Sequence, residues 1–101
     1  MLVNRYSYSN AVSVAALVQD YGFGTIAGET TADMSTTYGA MERFSLPGSG
    51  IVVGYPKAHI IRPNGETRSH PVMPDIELDM PALRPATDEV LEQLIRLISE
   101  D

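Results

Sequence analysis

The sequence predicts an α/β fold, and three observations carry that prediction. A short apolar strand runs into a pair of helix-capping residues and an alanine-rich run; that run stops at two glycines and restarts as a strand; and a separate amphipathic helix closes the chain. Strand, helix and strand in succession make a βαβ unit, for which parallel pairing is the natural arrangement.

The elements follow in order. Residues 1–6 read as a short buried strand. Ser9 and Asn10 offer capping side chains directly before Ala11, Val12, Val14, Ala15, Ala16, Leu17 and Val18, and the helix so opened runs to Gln19 and Asp20. That run leaves almost no polar face, so the helix needs cover on most sides. Gly22 and Gly24 stop it, and Thr25 to Gly28 restarts as a strand. From Glu29 to Gly39 no apolar period survives, which predicts a loop. Met41 to Leu46 and Ile51 to Ile61 read as a hairpin around Pro47-Gly48-Ser49-Gly50, its second strand interrupted at Pro56. Pro63-Asn64-Gly65 is a turn, and from Pro71 to Pro85 four prolines surround a short extended piece, Ile76-Glu77-Leu78, that hugs a surface. Thr87 is the expected cap of a last helix in which Val90, Leu91, Leu94, Leu97 and Ile98 recur at helical spacing, with Asp88 and Glu89 in its first turn.

Composition narrows the function. With 101 residues, 44% of them apolar, the chain is one small domain or a piece of one. A net charge of -6 repels phosphate backbones and anionic lipid, so no nucleic acid is expected as partner. There is no cysteine, hence no thiolate nucleophile or cysteine metal site, and His59 and His70 share no ligand spacing, so no metal is expected. Gly22-x-Gly24 lacks the third glycine of a dinucleotide fingerprint and opens no helix, and no cofactor is expected. The longest weakly polar run, Ala11 to Val18, falls far short of the roughly 20 residues a bilayer requires, so membrane insertion is not expected. The opening residues do not read as a signal or transit peptide, and the compartment stays open.

The informative stretch runs from Val3 to Ala11, which sets a serine between a strand and the N-terminus of an apolar helix. A hydroxyl there can face a cleft while N–H groups of the first helical turn face the oxyanion formed when a carbonyl is attacked. The plainer alternative is a helix cap.

Asn4-x-x-Ser7-x-Ser9, the helix end Leu17-Val18-Gln19-Asp20-Tyr21-Gly22, Gly28-Glu29-Thr30, Pro63-x-Gly65 and Val72-x-Pro74-Asp75, taken in order, resemble the carboxyl-terminal processing, or tail-specific, serine protease family over roughly residues 1–80. The resemblance implies a fragment of a crotonase-like, ClpP-like ββα core, with the upstream core and any PDZ domain lying before Met1. It implies that Ser9 is the nucleophile of peptide-bond hydrolysis, with Ser7 its neighbour, and that the backbone N–H of Asn10 is one oxyanion donor. Typical members carry a lysine base where this sequence has Met34; methionine cannot take a proton, and no lysine lies between Glu29 and Gly39. Branches without that lysine pair the serine with an upstream histidine and a downstream glutamate, a role that falls on Glu66, whose alternative is a solvated acid in a turn; Asp33 carries the same ambiguity. Within the chain His59 is expected to pair across the sheet, His70 to face solvent, and Asp75 to cap backbone N–H groups. The implied partner is a polypeptide substrate; the uncovered apolar faces imply a homo-oligomer, and the second oxyanion donor and the base, expected upstream of Met1, imply an isolated fragment without activity. The rival expectation is a catalytically silent member that binds or scaffolds peptides.

Overall fold

The computed structural model describes residues 1–81 and 86–100. Its elements are β1 (Leu2–Val3), α1 (Asn10–Asp20), β2 (Ala27–Gly28), β3 (Thr37–Ser45), β4 (Val52–Ile60), β5 (Ile76–Glu77) and α2 (Glu89–Ser99). The chain is thus a mixed helix and strand unit with one small sheet and one hairpin.

The βαβ expectation holds. β1 and β2 run parallel, with Leu2 opposite Ala27 and Val3 opposite Gly28. β5 adds to the other side of β2, also parallel, giving the order β1-β2-β5. The extended piece expected around Ile76 is therefore a third sheet strand rather than a surface strap, and Pro85 lies outside the described residues.

Alternation along the short strands divides the core. Val3 and Ile26 pack with Val12, Ala15 and Ala16 of α1 and with Val72. Leu2, Ala27 and Leu78 pack with Val90 and Leu94 of α2. Neighbouring strand residues point to opposite faces, so each helix covers one side of the sheet. Val3, Val12, Ile26 and Val72 are fully buried, and each contributes about 1.5–3 kcal/mol of burial. Val14 and Leu17, 48% and 41% exposed, stay uncovered, so α1 lacks the cover its composition calls for.

β1 ends at Val3 rather than Tyr6 because the next residues turn: the Asn4 side chain accepts the Tyr6 N–H and the Ser7 hydroxyl accepts the Asn4 N–H. β3 starts at Thr37, inside the segment expected to be a loop, because Thr37, Tyr38 and Gly39 find partners in Ile60, His59 and Ala58. The register stays constant through Pro56, which lies opposite Met41. A two-stranded ribbon has two open edges, where a residue without N–H is tolerated. The cap of α2 is Asp88, whose carboxylate accepts the Leu91 N–H, and not Thr87.

Candidate active site

Ser9 stands where α1 begins, exposed, with φ 56° and ψ -125°. A non-glycine residue in that conformation costs on the order of 1–3 kcal/mol and persists only where its surroundings impose it. The hydroxyl makes no capping bond to the helix. The expectation of a capping serine therefore fails in a particular way: Ser9 occupies the cap position, but its side chain makes no bond to the helix. Its carbonyl accepts the N–H groups of Val12 and Ser13 at 3.0 and 3.1 Å. Ser7 differs, since its hydroxyl is taken up by the Asn4 N–H at 3.0 Å and its carbonyl by the Ala32 N–H at 2.9 Å. Among the described residues, the N–H of Asn10, first in the helix, donates to no acceptor. A free N–H at the positive end of a helix, beside a free hydroxyl, is an arrangement able to receive a developing oxyanion.

The segment after β2 braces this turn. Glu29 accepts the Arg5 N–H and Nε, each at 2.9 Å, and Arg5 Nη2 at 2.6 Å. Asp33 Oδ2 accepts the Ser9 N–H at 3.1 Å. In the sequence Asp33 is an acid in a loop with no evident partner; the spacing of 24 residues that both contacts share becomes visible only with β1 and β2 paired. Met34 is 39% exposed and forms a single bridge to Pro71.

Glu66 lies in the turn after β4. Its carboxylate accepts Arg68 Nε and Nη2, each at 3.1 Å, and the Arg68 N–H at 2.8 Å. Those bonds hold its pKa down at about 2. Its own N–H rests on the Asn64 side chain and its carbonyl accepts the Thr36 hydroxyl, so the contacts among the described residues do not bring it to Ser9. His59 stacks on Tyr38 across the ribbon, with ring centroids 4.7 Å apart, and His70 is exposed. Asp75 caps backbone as expected, though the N–H it accepts, at 2.8 Å, belongs to distant Ile26; its other oxygen accepts Gln19 Nε2 at 2.9 Å.

A second polar group fixes the far end of α1. Arg62 meets both oxygens of Asp20, with Nε 2.8 Å from Oδ2 and Nη2 2.9 Å from Oδ1, and gives a further bond from Nη2 to Gln19 Oε1 at 2.6 Å. The two side chains are 11% and 7% exposed. Asp20 also accepts the Asn64 N–H, and the guanidinium holds its carboxyl below the usual range.

An α/β unit with an uncapped serine where a strand leads into a helix is the arrangement expected of a hydrolase that attacks carbonyls. Residues 1–78 match peptidase family S41, and the chain belongs to that family. It is also similar in structure to a photosystem II D1 C-terminal processing protease, with 29% identity and a TM-score of 0.57, over 99% of this chain and 24% of that one. The chain thus spans about a quarter of the length of that protease. None of the curated proteins matches it.

Proposed function

We propose that these residues carry the nucleophile of a serine-type endopeptidase within a crotonase-like ββα core. Ser9 Oγ attacks the peptide carbonyl, the Asn10 N–H receives the oxyanion, the amine leaves, and water then hydrolyses the acyl-enzyme. The observation that carries this reading is the Ser9 backbone at φ 56°, which leaves the hydroxyl without a helix partner. Met34 cannot act as base, so the proton acceptor is assigned to a part of the protein beyond these 101 residues. Glu66 is the group we assign to orient it, by the resemblance to lysine-free branches, which requires its carboxylate to exchange the Arg68 guanidinium for that base. The substrate class is polypeptide, and the 101 residues alone are expected to be inactive, because a second oxyanion donor and a base are needed.

The test is covalent labelling of the protein as its source expresses it. A fluorophosphonate should modify Ser9, and Ser9→Ala should abolish labelling and peptide hydrolysis with melting nearly unchanged. Labelling at Ser7 would move the nucleophile. Met34 in the place of a base favours a second reading, a silent member that holds peptides without cutting them. That reading expects peptide binding without labelling.

A further inference from the structure

We propose that Asp33 is a positioning residue for Ser9, its carboxylate holding the serine backbone in the left-handed turn that frees the hydroxyl. The inference rests on the reading of Ser9 as nucleophile. A strained residue has to be held by its surroundings. The carbonyl of Ser9 makes only the bonds that any helix start makes, to Val12 and Ser13. Its N–H is the remaining backbone handle, and Asp33 Oδ2 takes it at 3.1 Å. A carboxylate makes a stronger bond to a backbone N–H than a neutral acceptor does.

Asp33 is itself fixed. Its other oxygen accepts the Met34 N–H at 2.8 Å, and its carbonyl accepts the Thr31 hydroxyl at 3.0 Å. Thr31 is buried, and the same hydroxyl accepts the N–H of fully buried Val72 at 2.9 Å. An unbroken path of hydrogen bonds thus runs from the exposed serine into the core. Both carboxylate oxygens are engaged by backbone N–H groups, which suits a splint and not a proton acceptor for Oγ. The segment that holds the base in lysine-bearing relatives here holds the nucleophile's main chain.

The experiment compares Asp33→Ala, Asp33→Asn and Ser9→Ala in the protein as its source expresses it. It reads the rate of fluorophosphonate labelling, kcat and KM on an unstructured polypeptide such as casein, and the melting temperature. Loss of one hydrogen bond to a charged group should slow labelling and lower kcat by about ten- to a hundredfold in Asp33→Ala, with KM changed less than about twofold. Asp33→Asn keeps one oxygen, which can serve the Ser9 N–H only if the Met34 N–H gives up its acceptor, so it should recover part of the loss, labelling about three- to tenfold slower than wild type. Where Asp33→Ala does not fold, slowed labelling of a normally melting Asp33→Asn supports the role and an unchanged rate overturns it. A loss that only follows the unfolded fraction, or that raises KM alone, also overturns it. If Ser9→Ala abolishes labelling and hydrolysis while Asp33→Ala changes neither, the nucleophile stands and the positioning role falls. If Ser9→Ala remains active, or the wild type neither labels nor hydrolyses, both fall.

Discussion

Removing the Arg62 side chain tests how the end of α1 is held. In the folded chain the guanidinium covers both oxygens of an Asp20 carboxylate that is only 7% exposed, and it reaches Gln19 as well. Arg62→Ala leaves that carboxylate with the Asn64 N–H and little water. Breaking one side of a buried ion pair costs about 3–5 kcal/mol, against about 0–1 kcal/mol for a pair at the surface. In urea unfolding the larger figure corresponds to a midpoint lowered by roughly 2 M. Replacing both partners with apolar residues, Asp20→Leu with Arg62→Met, should cost less than Arg62→Ala alone, because no charge is then left buried. The pH dependence follows from the sign of the shift. The Asp20 pKa is lowered in the folded chain from its ordinary 3.8, so the pair's stabilisation is complete above 3.8 and fades as acid titrates through the lower folded value. A loss below about 1 kcal/mol for Arg62→Ala would refute the reasoning and class the pair with surface ion pairs.

Gly28 has φ 125°, and a Cβ there would sit 1.9 Å from the Val3 carbonyl oxygen, so Gly28→Ala should destabilise by several kcal/mol and separate β1 from β2; an unchanged urea midpoint would contradict this. Glu66 should stay ionised down to about pH 2 instead of 4.5, and Arg68→Ala should raise its pKa part of the way back, because the backbone N–H of residue 68 still donates to the carboxylate, both followed by NMR titration of its carboxyl. Any stability the pair adds is present above 4.5 and lost as the pH falls toward 2. The isolated 101 residues should form a homodimer or larger assembly at micromolar concentration, since Val14 and Leu17 on α1 and Leu91, Ile95 and Ile98 on α2 all lie exposed. A monomer mass in light scattering would disprove that.

The elements legible in the sequence were those with a local signal. The hairpin was announced by Pro47-Gly48-Ser49-Gly50, and α2 by its apolar spacing. Capping chemistry was legible in kind but not in position, because Thr87 and Asp88 are neighbours and either side chain suits the task. The third strand was obscured by prolines around Ile76 and Glu77, since two residues give no periodicity to read. At the candidate site, residue order pointed to Ser9, while its positive φ left no trace in the sequence. Asp33 was visible as an acid in a loop, but what it touches depends on the pairing of β1 with β2.

The hydrogen bonds that close this unit impose an order of assembly. Ser9 and α1 are made before Arg62, Val72 and Asp75, which grip α1 and the loop under Ser9 from 42 to 66 residues further along the chain. At about 5–20 residues per second, the interval between synthesis of Ser9 and of Asp75 is roughly 3–13 s. For that time the buried face of α1, with Val12, Ala15 and Ala16, lacks Val72, and the loop bearing Asp33 lacks its tie to the core. The Ser9 turn therefore gains its last tie to the core only once Val72 has been made, although Ser9 itself lies 63 residues earlier in the chain.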